Sequence, residues 1–110
     1  MEFKTREQER RPERVVLVGV LLERGSGDND PLAELAALAE SAGATPVARV
    51  TQHRQKIHAA TYVGKGKLDE IRQKADITEA DTIIFDNDLS PSQIREIAEG
   101  VSRKVLDSSA

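Results

Sequence analysis

The sequence predicts an α/β fold, in which a mainly parallel sheet of four or five strands is combined with three helices. Short apolar runs alternate with segments of roughly ten residues whose apolar side chains recur at helical spacing. Strands separated by such helices are joined by right-handed crossovers and therefore run parallel. The chain has 110 residues, the size of one domain, and its three helices build either a three-layer or a partly open sandwich.

The first half of the chain predicts two strands with a helix between them. Residues 15–22 are apolar except at Gly19, which indicates a strand covered on both faces. Asp30-Pro31 predicts a helix start, because the carboxylate accepts orphan amide protons and proline suits the first helical position. Gly43 is expected as a left-handed cap after this helix, and residues 47–51 as the second strand.

The second half predicts three more strands and two more helices. Residues 61–63 are expected to be a very short strand, which ends at Gly64-Lys65-Gly66-Lys67 before the second helix. Residues 82–85 indicate another strand buried on both faces. Ser90 and Gln93 form a capping box for the third helix, and residues 104–107 form a last short strand.

The chain divides into a charged flexible arm at residues 1–13 and one folded domain at residues 14–110. It lacks the ~18 consecutive apolar residues of a membrane span, so no membrane partner is expected. It contains no cysteine, which excludes a disulfide framework and thiolate chemistry. This composition favours a cytoplasmic protein.

Positive charge is concentrated in the middle of the chain, although the whole chain carries a net charge of -3. Residues 41–68 contain no acidic side chain and five basic ones, which are Arg49, Arg54, Lys56, Lys65 and Lys67. Such a segment is either a solvated basic loop or a binding site for a polyanion such as RNA phosphate. His53 and His58 share it, but no carboxylate cluster lies near them, so they do not predict a metal site.

The Gly-Lys repeat at residues 64–67 is the strongest candidate for anion binding. Gly64 and Gly66 allow a ligand to approach the backbone amides at a helix start, and Lys65 and Lys67 add charge. Leu68 stands where a phosphate loop has the Ser or Thr that holds magnesium, so the repeat is not such a loop. A tight turn with exposed lysines explains the same residues.

Asp86, Asn87 and Asp88 follow a buried strand and offer oxygen ligands for a hard cation. A turn that leads into the capped third helix explains them more simply and is the preferred interpretation. No hydroxyl lies in a nucleophile elbow. The sequence therefore predicts neither a catalytic residue nor a metal ligand.

Three blocks of the sequence resemble the N-terminal domain of the HflX family of ribosome-associated GTPases. They are residues 62–71, 84–95 and 105–107, and the resemblance spans about residues 15–107. It implies a cytosolic protein that binds the large ribosomal subunit and whose separate G domain hydrolyses GTP with magnesium. Glu96 departs from the family, which often has Asn there. No part of this chain resembles a GTPase phosphate loop, so GTP hydrolysis does not carry over to it.

The function expected from these observations is a non-catalytic module that docks on ribosomal RNA through the five basic side chains of residues 41–68. No cofactor and no DNA partner are expected. One alternative is a stand-alone enzyme that binds nucleotide or phosphate at residues 64–67, with Asp86 or Asp88 as a magnesium ligand. Another alternative is a protein-protein assembly module.

Three helices are too few to cover both faces of a five-stranded sheet. Such a sheet is ~24 Å wide and one helix covers ~10 Å, whereas residues 15–22 and 83–85 are apolar on both sides. Exposed apolar surface is therefore expected. It predicts a homodimer of this chain, with the first strand or its neighbours in the interface.

Overall fold

The computed structural model describes residues 11–21, 30–53 and 62–108, and within them four strands alternate with three helices. The elements are, in chain order, β1 (Arg14–Leu21), α1 (Ala33–Ser41), β2 (Thr45–His53), α2 (Lys65–Thr78), β3 (Thr82–Phe85), α3 (Pro91–Val101) and β4 (Lys104–Asp107). The strands form one sheet in the order β2-β1-β3-β4, and every neighbouring pair is parallel. The predicted α/β class, with a parallel sheet and three helices, is confirmed.

The structure corrects the strand predicted at residues 61–63. Thr61 lies outside the described residues, and Tyr62 makes only an isolated bridge, with a φ of 68° in the left-handed region. Because an extended strand requires a negative φ, the chain turns at Tyr62 and does not continue as a strand. Residues 64–67 are also not a loop, since Gly64 is the N-cap of α2 and the helix begins at Lys65.

The predicted signals of α1 and α3 are present, but α1 starts later than predicted, because Leu32 is its N-cap and Pro31 lies ahead of the helix. Asp30 Oδ1 accepts a hydrogen bond from the Leu32 amide at 3.0 Å, ahead of α1, and Gly43 follows that helix with a φ of 90°. Ser90 Oγ accepts from the Gln93 amide at 3.1 Å, and Gln93 Oε1 accepts from the Ser90 amide at 2.9 Å. The predicted capping box therefore starts α3.

The two faces of the sheet carry separate cores. The two-helix face is covered by α2 and α3, and its buried strand residues include Val16, Val18, Ile83, Phe85 and Val105. The one-helix face is covered by α1, whose buried residues Leu35, Ala36 and Ala39 cluster with the N-cap Leu32 and with Val15 and Leu17 of β1. The alternation of side chains along β1 thus divides its apolar run between two cores.

Glycine allows α2 and α3 to approach closely. A Cβ on Gly100 of α3 would lie 2.5 Å from Leu68 Cδ2 on α2, which is too short for two carbon atoms. A similar approach joins β1 to α1, where a Cβ on Gly19 would lie 2.9 Å from Leu32 Cδ2. Both glycines therefore make room for a leucine of a neighbouring element.

Arginines tie the amino-terminal edge of the sheet to the end of α2. The Arg14 guanidinium donates to the Thr78 carbonyl, at 3.0 Å from Nε and 2.7 Å from Nη2. Arg103 Nε donates to the Ala80 carbonyl at 2.9 Å, and its Nη1 pairs with Asp76 at 2.8 Å. Cations at the C-terminus of a helix are favoured by the helix dipole.

The end of the predicted arm is also held at this edge. Residues 1–10 lie outside the described residues. Arg11 Nη2 pairs with Asp81 Oδ1 at 3.0 Å. The Glu13 carboxylate accepts a hydrogen bond from the Thr82 hydroxyl and pairs with Lys104 at 3.4 Å. These contacts fix residues 11–13 beside the amino ends of β3 and β4.

Candidate functional site

The candidate anion site lies at the amino end of α2. Gly64 is buried and extended, with φ -70° and ψ 165°, and no side chain of the described residues caps this end through a hydrogen bond. The Leu68 amide donates to the Gly64 carbonyl at 2.9 Å, which closes a first turn formed by Lys65, Gly66 and Lys67. Backbone amides at such a helix start, together with the helix dipole, attract an anion.

The backbone of this first turn is open at Gly66. The residue is exposed, and a Cβ built on it meets no heavy atom within 4 Å. An anion can therefore approach the backbone directly. Gly64 differs because it is buried, so it shapes the chain ahead of the helix and offers no surface to a ligand.

The two lysines of the first turn differ in how their charge is compensated. Lys67 Nζ pairs with Glu70 Oε1 at 2.9 Å, and the Lys67 side chain is only 18% exposed. Lys65 is exposed and makes no ion pair within the described part of the chain. Lys65 therefore provides the uncompensated positive charge at this helix start.

The structure does not bring together all five basic side chains that the sequence offers for RNA binding. Arg49 stands opposite Leu17 in the register of β1 and β2, so it lies on the one-helix face, where it pairs with Asp30. Lys65 and Lys67 belong to a helix on the two-helix face. Arg54 and Lys56 lie outside the described residues.

Residues 86–88, whose oxygen atoms the sequence offers as ligands for a cation, form a hydrogen-bonded turn after β3. Asn87 Oδ1 accepts from the Val20 amide, and Asn87 Nδ2 donates to the Val20 carbonyl, both at 3.0 Å. The side chain thus replaces a strand partner for β1 after β3 has ended. Across residues 11–21, 30–53 and 62–108, no three His, Cys, Asp or Glu side chains are placed to hold a metal ion.

Sequence reasoning missed this bridge from Asn87 to β1. The available signal is the residue type, since an asparagine amide mimics a peptide group in turns. Nothing in the local sequence identifies Val20 as the partner, because the two residues meet only when β1 and β3 pair.

Tyr62 connects this turn to the start of α2. Its ring meets Phe85 edge-on, with centroids 6.5 Å apart and planes at 87°. Burial raises the pKa of the Tyr62 hydroxyl, and a hydrogen bond with the Asn87 side chain lowers it by less. The half-buried ring therefore packs beneath the start of α2.

A family model and several curated relatives identify the same family. The family described as GTP-binding GTPase N-terminal matches residues 29–110. The GTPase HflX of Lacrimispora saccharolytica is 40% identical over 95 residues, which are 86% of this chain and 22% of that protein. The GTPase HflX of Escherichia coli is 33% identical over 95 residues, with the same shares of each chain. This chain thus spans under a quarter of the length of these relatives.

A solved structure shows the same fold. A crystal structure of a mutation variant of SsGBP has a TM-score of 0.62 and 20% sequence identity, and the match covers 86% of this chain and 28% of that one. None of the helices in the described residues has the length and apolar character needed to cross a membrane. The family match over residues 29–110 and the HflX relatives agree with the three resembling blocks of sequence. The chain belongs to the GTP-binding GTPase N-terminal family and corresponds to the N-terminal domain of HflX GTPases.

Proposed function

We propose that this chain docks an HflX-type protein on RNA phosphate of the large ribosomal subunit and itself makes or breaks no covalent bond. The observation that carries the proposal is the start of α2, where exposed Lys65 stands beside the open backbone of Gly66. Phosphate oxygens suit this end because the amides, the helix dipole and the lysine all favour negative charge. The negative net charge does not oppose binding, since RNA responds to the local field.

The proposal assigns GTP hydrolysis to the part of the HflX relatives that this chain does not match. A magnesium-dependent phosphate loop needs a hydroxyl after its lysine, and Leu68 occupies that position. The Leu68 side chain packs against the core of the two-helix face, so it contributes to folding. Titration calorimetry of this chain with GTP and magnesium should therefore give no saturable heat, whereas a turnover signal would favour the enzyme alternative.

Lys65→Glu tests RNA docking through cosedimentation with large ribosomal subunits over a salt series. We expect severalfold weaker binding at low salt. The slope of log K against log salt should become shallower by roughly 0.9 for each phosphate that the chain no longer neutralises. A glutamate in the first turn of a helix interacts favourably with the dipole, so the variant should fold normally.

Lys74→Glu is the matched control, because it makes the same charge change on an exposed residue near the other end of α2. It should cosediment as the unmodified chain does. Equal weakening by the two variants would indicate an effect of overall charge and would contradict a site at the helix start. Unchanged cosedimentation of Lys65→Glu across the salt series would contradict RNA docking at this end.

A further inference from the structure

Tyr62 holds a backbone conformation that its own side chain disfavours. Its φ is 68°, in the left-handed region that a bulky L side chain rarely adopts. Among the described residues, Glu79 and Ser102 also have a positive φ, but they are the C-caps of α2 and α3, where a left-handed residue commonly ends a helix. Tyr62 lies ahead of a helix, so helix termination does not account for its conformation.

Contacts from two strands of the sheet hold Tyr62 in this conformation. The ring packs edge-on against Phe85 at the end of β3, and the hydroxyl is hydrogen-bonded to the Asn87 side chain. Asn87 is itself fixed, since its side chain makes two hydrogen bonds of 3.0 Å with the backbone of Val20 in β1. Backbone strain of this kind persists only where surrounding contacts impose it, and it is concentrated at functional sites.

Two buried residues connect this turn to the start of α2. Val63 is 1% exposed and belongs to the core of the two-helix face. Gly64 is also buried, and it is the N-cap of the helix. Lys65 and the exposed Gly66 follow directly. The direction in which the chain leaves Tyr62 therefore sets where the first turn of α2 stands relative to the sheet.

We propose that, if this chain docks on RNA phosphate as proposed above, Tyr62 is a positioning residue for the start of α2. The left-handed turn, imposed by Phe85 and Asn87, places Lys65 and the open backbone of Gly66 before RNA arrives. A site ordered in advance binds more tightly, because binding then loses less conformational entropy. Loss of the turn weakens docking without changing the number of phosphates that the bound chain neutralises.

Tyr62→Gly tests this role through cosedimentation with large ribosomal subunits over a salt series. Glycine adopts a positive φ without strain but also many other conformations, so the turn is no longer imposed. We expect severalfold weaker docking and an unchanged slope of log K against log salt, because Lys65 still neutralises its phosphate. Lys65→Glu instead makes that slope shallower, so the salt series separates positioning from contact.

Tyr62→Phe is the conservative variant, because it keeps the ring contact with Phe85 and removes only the hydroxyl. It should dock more tightly than Tyr62→Gly and with the same salt slope as the unmodified chain. Equal weakening by Tyr62→Phe and Tyr62→Gly would make the hydroxyl itself the important group and would overturn positioning by the packed ring.

Val105→Ala is the control for lost stability alone. Val105 is buried on the two-helix face, but it stands opposite Ile83 in the register of the sheet and not opposite Phe85. At urea-free conditions where all variants are folded, it should dock like the unmodified chain. Equal weakening by Val105→Ala and Tyr62→Gly would overturn the positioning role.

Two further outcomes separate this role from the proposed function. Unchanged docking of Tyr62→Gly, together with weakened docking of Lys65→Glu, would overturn the positioning role and leave RNA docking at α2 supported. Unchanged docking of both variants would contradict RNA docking at this end and the positioning role with it.

Discussion

The two-helix face and the one-helix face of the same sheet are covered to different degrees. Ile83 and Phe85 are fully buried beneath α2 and α3, whereas their neighbour Ile84 points to the other face, packs at the margin of the α1 cluster and stays partly exposed. Apolar burial stabilises by roughly 25 cal/mol per Å². The comparison teaches that one face supplies most of the stability of the fold, while the other keeps apolar surface available for contact.

The largest difference is expected from truncating one isoleucine on each face. Ile97→Ala removes a fully buried side chain from the two-helix face and should lower the free energy of unfolding by ~2–5 kcal/mol. Ile84→Ala removes a partly exposed side chain and should cost about 1 kcal/mol. Urea denaturation at low micromolar concentration, where self-association is least, measures both.

Ile84→Ala should have the larger effect when self-association is measured, although Ile97→Ala has the larger effect on stability. Ile84→Ala removes partly exposed apolar surface from the one-helix face and should weaken the homodimer that the sequence predicts, whereas folded Ile97→Ala keeps that surface intact. Equal destabilisation by the two variants would show that the one-helix face is covered as completely as the other.

Alanine substitutions at two glycines of the two-helix face test its packing further, with smaller expected effects on stability. Gly100→Ala places a Cβ against Leu68, and this overpacking outweighs the ~1 kcal/mol that alanine gains in helix propensity. We expect a net loss of about 1 kcal/mol, or about 4–8 °C in Tm. The Cβ that Gly66→Ala adds on α2 meets no heavy atom within 4 Å. This variant should therefore leave the stability unchanged or raise it slightly.

A double variant at Gly100 and Leu68 identifies the cause of the stability lost in Gly100→Ala. The Gly100→Ala effect should shrink or change sign when Leu68→Ala is also present, because the colliding methyl group is then absent. An undiminished loss in the double variant would place the strain elsewhere in α3.

Local patterns were sufficient for the elements whose signals lie within a few residues. The doubly apolar runs of β1 and β3 and the capping box of α3 are of this kind, and all three are present. The turn at Tyr62 was missed because its positive φ accompanies an edge-on contact with Phe85, which is distant in sequence. Propensity alone indicated a strand there.

The candidate site was predictable in its residue types and only partly in its geometry. Lys65 and Gly66 lie together at a helix start, as their spacing allows. Arg49 counted equally in the charge of residues 41–68, but the two-residue period of β2 places it on the opposite face from α2, where it pairs with Asp30. A charge total along the chain contains no information about faces until the strand register is known.

The smallest expected effect lies at the carboxyl edge of the one-helix face and depends on pH. Partial desolvation of its carboxyl, and then the like charge of Glu34, raise the pKa of Asp86 above its usual value. The folded protein therefore binds this proton at a higher pH than the unfolded chain does. Ionised Asp86 destabilises the fold near neutral pH, and this penalty disappears as the pH falls through the raised pKa to below the unfolded value.

Asp86→Asn removes the titrating group and isolates that penalty. It should raise the free energy of unfolding at about pH 7 by ~0.5 kcal/mol or less, because the exposed carboxylate is screened by solvent, and should give no gain near pH 3. Glu34→Gln relieves only the like charge, so its gain should be smaller at about pH 7. Urea denaturation at the two pH values measures all three chains. A gain for Asp86→Asn that persisted at about pH 3 would assign the effect to the turn after β3 instead of to charge.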